Sequence, residues 1–206
     1  MGKRYSNLLF NFIAPTYGLF YEFQKKHYDK ILDVIKSEID LTVYHNMVDV
    51  GCGTGALCSV LNEKGISVTG IDPAERMLEI ARNKLENQDI VFINANVLEA
   101  LPFQDKAFDI SIASYVAHGL KDEERKKMYA EMSRVTKYKV IIYDYNQNRN
   151  LLTTIIEWLE RGDYFKFIKV AENEMRSCIR EMKECFFEVK VIDVDSHASW
   201  YICTPA

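Results

Sequence analysis

Four groups of residues in this chain could do chemistry. The densest is Asp49-Val50-Gly51-Cys52-Gly53-Thr54-Gly55, an acid followed by three glycines at alternate positions. Asp72 ends the next apolar run, His118 follows Ser114-Tyr115-Val116-Ala117, and Asp144-Tyr145-Asn146 closes a later β-branched run. Glycines let a backbone turn sharply and let a ligand approach where any Cβ would collide. An imidazole titrates near neutral pH and suits proton transfer. Carboxylates supply hydrogen-bond acceptors or a base.

The elements that must position these groups can be read around them. The run from His45 to Val50 reads as a strand, the glycines as a tight turn, and Leu57, Val60 and Leu61 as a helix closed by Gly65. Ser67 to Ile71 is a second strand ending in Asp72, where an open α/β sheet puts a carboxylate against a ribose. Pro73 is placed at the first helical position, and Ala74, Met77, Leu78, Ala81 and Leu85 keep 3.6 periodicity behind it. Asp72 could equally be a helix cap. The glycine spacing departs from the dinucleotide GxGxxG, and Asp49 beside the loop would repel a diphosphate. An acid there suits a cofactor carrying an ammonium and a sulfonium.

These residues resemble the class I S-adenosylmethionine-dependent methyltransferases. The resemblance rests on Val48-Asp49-Val50-Gly51-Cys52-Gly53-Thr54-Gly55, Gly70-Ile71-Asp72, Leu101-Pro102-Phe103, Phe108-Asp109, His118 and Glu131-Met132-Ser133-Arg134-Val135. It implies S-adenosyl-L-methionine as cofactor, held by Asp49, Gly51, Cys52, Gly53, Gly55, Asp72, Pro73, Met77, Val97 and Ser114. Asn96 stands where the family has an acid for the adenine amino group, and an amide oxygen can still accept there. Ala14-Pro15-Thr16-Tyr17 reads as a short break and is similar to a stretch of the ubiquinone and menaquinone methylases in which the aromatic residue closes over the cofactor, which assigns that role to Tyr17. Gly18 replaces an Asp usual in that stretch.

The implied fold is α/β: a doubly wound, Rossmann-like, mostly parallel seven-stranded sheet with an antiparallel C-terminal hairpin. The expected organisation is one domain over 1–206. It has an N-terminal helical cover at 1–40, a cofactor-binding core at 45–145, a helical insertion at 147–185 and a hairpin at 186–203. Phe20, Phe23, Ile31, Leu32, Ile35 and Ile39 keep helical spacing, predicting a long amphipathic helix on the sheet. Later strands are expected at 90–93, 108–113 and 140–143, with a helix from Asp122 to Val135. Residues 1–20 and 147–185 are expected to form a movable cover, with Trp158 facing the pocket.

Methyl transfer from a sulfonium expels a neutral leaving group, so a protein mainly aligns and desolvates the reactants. No metal is required. His118 is the first candidate base and Asp144 the second, with Tyr115, Tyr145, Asn146 and Trp158 lining the substrate pocket. The Asn/Asp-Pro-Pro-Tyr stretch of adenine-specific nucleic-acid methylases is not present at Ser114-Tyr115-Val116-Ala117, which favours a small-molecule acceptor. A net charge of −4, with basic residues not gathered into a long run, also disfavours nucleic acid. The 206 residues, 48% hydrophobic and 27% charged, suit one globular core. No apolar run reaches membrane-spanning length, and the five cysteines form neither CxxC nor an even set. The expectation is a cytoplasmic monomer or homodimer. Two alternatives remain open: a cofactor-binding scaffold without turnover, and a nicotinamide oxidoreductase sharing the strand-glycine-helix-acid pattern.

Overall fold

The structure, a computed structural model, describes residues 3–146, 178–195 and 198–206. Two helices, α1 (Lys3–Leu19) and α2 (Tyr21–Ile35), precede β1 (Asn46–Val50), α3 (Ala56–Glu63), β2 (Ser67–Asp72), α4 (Glu75–Arg82) and β3 (Val91–Asn94). Then come β4 (Phe108–Ser114), α5 (Asp122–Val135), β5 (Thr136–Tyr145), the helical residues 178–185, β6 (Phe186–Asp193) and β7 (Ala198–Pro205). The seven strands form one sheet in the order β3-β2-β1-β4-β5-β7-β6. All neighbours from β3 to β5 are parallel, and β7 runs antiparallel to both β5 and β6. The strand order reverses between β1 and β4, so the carboxyl ends of those two strands define the crevice where such sheets bind ligands.

Side chains alternate across each strand, which builds a core on each face. On one face Met47, Ile110, Ile112, Ile141 and Tyr143 pack under α2 and α3 through Ile31, Leu32, Ile35, Leu57 and Leu61. On the other, Val48, Val50, Ala113, Val140 and Ile142 pack under α5 and residues 178–185 through Met128, Met132, Val135, Cys178 and Met182. The hairpin is closed by the Ala198 amide donating to Asp195 Oδ1 at 2.8 Å. Among the described residues, no helix is long and apolar enough to cross a membrane.

Local expectations needed correcting in three places. The N-terminal segment is two helices, and the break falls at Phe20, whose amide closes a tight turn onto the Tyr17 carbonyl at 3.0 Å. Ala14-Pro15-Thr16-Tyr17 is not a break: α1 runs through Pro15, which is exposed. The stripe facing the sheet is led by Tyr21 rather than Phe20 or Phe23, both of which face solvent. Pro73 lies outside α4, whose first helical residue is Glu75, since Asp72 and the extended Ala74 form the entry. Trp158 and residues 147–177 of the expected insertion lie outside the described residues.

Candidate active site

The glycine turn folds back on β2, with the Gly51 and Cys52 amides donating to the Ile71 carbonyl at 2.8 and 3.0 Å. This presses the turn against Asp72, which is buried and fully engaged in local structure. Its Oδ2 accepts from the Gly53 amide at 2.9 Å and its Oδ1 from the Ala74 amide at 2.8 Å. Asp72 therefore braces both the entry to α4, through the Ala74 amide, and the glycine turn, through the Gly53 amide. Each oxygen keeps a second lone pair for a ribose hydroxyl. Burial raises its pKa to about 6 against the lowering effect of those two amides.

Asp49 is buried more deeply. Its Oδ2 accepts from the Cys58 thiol at 3.2 Å, and its Oδ1 has no hydrogen-bond partner among the described residues. Burial first, and the nearby Asp72 charge after it, raise its pKa to about 7 against the Cys58 bond. A buried carboxylate with one orphaned oxygen is costly unless a cation or donor arrives to meet it. Gly53, at φ +52°, has nothing within 4 Å of where a Cβ would project. The turn thus offers open approach at Gly53 and an unmet negative group at Asp49.

The turn also touches the loop that carries His118. A Cβ on Gly51 would stand 2.6 Å from Val116 Cγ2, so the two loops meet directly. His118 lies in a tight turn, Ala117–Gly119, held from below by Asp144. Its amide donates to Asp144 Oδ2 at 3.1 Å, and its Nδ1 pairs with Asp144 Oδ1 at 3.0 Å. Asp144 Oδ1 also accepts from the Tyr145 amide at 2.8 Å. With three such bonds and full burial, Asp144 is engaged in holding the His118 turn and the end of β5. The pairing with the carboxylate makes Nδ1 the protonated nitrogen of a neutral His118 imidazole.

Aromatic rings line this end of the sheet. Tyr145 lies between Tyr115 and His118, with ring centroids 5.0 and 4.9 Å away. Tyr28 and His27 reach in from α2: Tyr28 bonds Ser114 Oγ at 2.9 Å, and His27 Nε2 bonds the Tyr143 hydroxyl at 2.8 Å. Neither residue, nor Tyr143 or Cys58, is singled out by sequence motifs. Tyr28 nevertheless shares the stripe of Ile31, Leu32 and Ile35 at helical spacing, a signal for its inward face.

The other expected residues divide. Tyr17 packs with Ala14, Ala74 and Met77, so α1 does bring it to the start of α4. Val97 is buried in the core, and Asn96 spends its Oδ1 on the Leu98 amide at 3.0 Å, forming a local turn. Asn146 is buried and donates to the Asp195 carbonyl at 3.3 Å, toward the hairpin turn.

Comparison with known proteins agrees with this geometry. A family model described as "Methyltransferase domain" matches residues 47–139, the segment from β1 into β5. An uncharacterized methyltransferase of Bacillus licheniformis is 29% identical over 168 residues, covering 78% of this chain and 74% of its own length. A demethylmenaquinone methyltransferase of Thermotoga maritima is 29% identical over 149 residues, covering 66% of this chain but only 59% of that enzyme. These matches support a class I S-adenosylmethionine-dependent methyltransferase. A solved SAM-dependent methyltransferase from Aquifex aeolicus shares the fold of this methyltransferase, with a TM-score of 0.64 at 18% identity over 86% of this chain and 92% of that one. Its cofactor is accordingly S-adenosyl-L-methionine, whose ammonium and sulfonium suit the orphaned Asp49 oxygen and the open approach at Gly53 better than a diphosphate would. That sets aside the nicotinamide alternative.

Proposed function

We propose that this methyltransferase transfers a methyl group to the oxygen or nitrogen of a small-molecule acceptor bound between Tyr115, Tyr145 and His118. The supporting observation is the His118–Asp144 pair, set on a loop in contact with the cofactor turn. S-adenosylmethionine, when bound, supplies an electrophilic methyl group on a sulfonium. The chain's residues do the rest. Asp49 meets the ammonium, Asp72 the ribose, and Asn96 with Met77 the adenine end. Asp144 holds the imidazole in one orientation and stabilises it once it is protonated. His118 accepts the acceptor's proton as the new bond forms. The aromatic walls exclude water and align the acceptor for in-line attack. The Thermotoga maritima relative, a demethylmenaquinone methyltransferase, also has a small-molecule acceptor.

The test is transfer of label from methyl-labelled S-adenosylmethionine to a low-molecular-mass cell extract, wild type against His118→Asn. Removing a positioned base should reduce transfer by about 10²- to 10⁴-fold with cofactor affinity unchanged. Cofactor binding without any transfer by the wild type would support the scaffold alternative, and an active His118→Asn would remove the base assignment.

A further inference from the structure

A second polar chain ends at the acceptor site and takes no part in the His118–Asp144 pair. The Tyr115 hydroxyl donates to the Tyr143 hydroxyl at 3.0 Å, and the Tyr143 hydroxyl contacts His27 Nε2 at 2.8 Å. A phenol has one proton to give. Tyr143 receives the proton of Tyr115, so its own goes to His27 Nε2, which must be the bare nitrogen of a neutral imidazole protonated at Nδ1. Every proton in the chain then points away from the pocket, and the Tyr115 oxygen shows lone pairs to whatever lies beside it. A proton on His27 Nε2 would reverse each bond in turn. His27 would donate to Tyr143 and Tyr143 to Tyr115, leaving the Tyr115 proton to turn outward.

Tyr115 is held for this in a costly backbone. It has φ +55°, a region that residues with a Cβ rarely occupy, and its amide is pinned to the Tyr143 carbonyl at 2.8 Å. Strain of this kind concentrates at functional sites. Here it lays the Tyr115 ring 4.8 Å from Tyr143 and 5.0 Å from Tyr145.

We infer that His27 sets, through Tyr143, whether the Tyr115 hydroxyl offers the acceptor a lone pair or a proton, and that the acceptor carries a hydroxyl or N–H donor beside the atom that receives the methyl group. The inference rests on reading this end of the sheet as the acceptor site. His27 is a positioning residue in it. The groups facing His27 are the Tyr28 ring and Lys30 of its own helix, Tyr143 of β5 and Asp195 of the hairpin turn. Burial, assisted by Lys30 and opposed by Asp195, holds His27 below its usual 6.5, so the neutral state prevails at neutral pH. Burial also pushes Tyr115 up to about 12, so the phenol stays protonated while His27 titrates.

The test is a pH titration of the full chain labelled with Cζ-¹³C tyrosine and ring-¹⁵N histidine, with S-adenosylhomocysteine bound, from about pH 4.5 to about pH 8.5 to bracket the usual imidazole value. His27 should show the Nδ1–H tautomer at the upper end. The Tyr115 resonance should step at the same midpoint as His27, and the step should vanish in both His27→Gln and Tyr143→Phe. A flat Tyr115 resonance in the wild type, or a step that survives both substitutions, overturns the inference without any demand on the variants' stability. Phenol added above the midpoint should shift the Tyr115 resonance, and anisole, which has the ring but no donor, should not. An equal response to both, or to neither, removes the acceptor class. Failure here leaves the His118 assignment standing, because that is decided by label transfer alone.

Discussion

Replacing Asp49 with asparagine should make the ligand-free protein more stable and its cofactor binding weaker. The carboxyl is buried, its Oδ1 meets nothing among the described residues, and its pKa rises from the usual 3.8 to about 7. At about 1.4 kcal/mol per pH unit, ionising it in the fold costs about 4 kcal/mol more than in the unfolded chain. A group whose folded pKa is raised contributes stability below its unfolded pKa and loses it as pH rises through the folded value. Wild-type stability should therefore fall from about pH 4 to about pH 7 through this residue, with the penalty complete above about pH 7. Asparagine keeps the shape and has no charge to bury, although its amide must still find partners and forfeits part of the gain. Asp49→Asn should thus exceed wild type by about 1–3 kcal/mol at pH 8, the advantage disappearing toward pH 4. The assay is urea unfolding of both proteins across that range, with calorimetry of S-adenosylhomocysteine at each pH. Affinity should fall by about 1.5–3 kcal/mol in the variant, the worth of a hydrogen bond to a charged group. In the wild type it should strengthen as pH rises through about 7, where Asp49 ionises unaided. A stability difference that does not change with pH, or equal affinities at pH 8, would refute the reasoning.

Three other outcomes are expected. Asp72→Ala should weaken S-adenosylhomocysteine binding by roughly 1.5–3 kcal/mol and destabilise the ligand-free fold as well, because the Gly53 and Ala74 amides lose their acceptor; calorimetry and unfolding together would expose a loss in only one of the two. Gly55→Ala should destabilise by about 1–3 kcal/mol in urea unfolding, since a Cβ at φ +79° would meet Phe92 Cζ at 2.9 Å, Asn87 Nδ2 at 3.0 Å and Ala81 Cβ at 3.1 Å. Arg125→Met should cost about 3–5 kcal/mol, because the buried Glu181 carboxylate loses its bidentate guanidinium and the Leu120 carbonyl beside the His118 turn loses a donor; the double variant Arg125→Met/Glu181→Leu should recover most of it, as read by thermal unfolding.

What the sequence determined is what short-range pattern can carry. Periodicity two and 3.6 located the strands and helices of the core. The alternation of Gly51, Gly53 and Gly55 required a turn, and the acid at each strand end gave Asp49 and Asp72 their positions. An acid beside that turn suited a cofactor carrying an ammonium and a sulfonium, and the resemblance to the methyltransferases implied which one. Helix breaks were less legible: proline marks a missing donor, yet α1 runs through Pro15 and the break falls at Phe20.

Only the tertiary structure decided which polar groups share a site and how each is spent. His118 and Asp144 were both candidate bases in the sequence, and the parallel pairing of β4 with β5 brings them together as a hydrogen-bonded pair with the carboxylate buried beneath the imidazole. Asp72 turned out to brace the glycine turn and the entry to α4 together, a dual use that no spacing predicts. His27 and Tyr28 look like ordinary positions on an amphipathic helix, and they reach Tyr143 and Ser114 only because α2 packs across the sheet end. The physical reason is the same in each case. Propensity and hydrophobic period act over a few residues, whereas a hydrogen bond between residues far apart in the chain exists only after packing has fixed the distance between two elements.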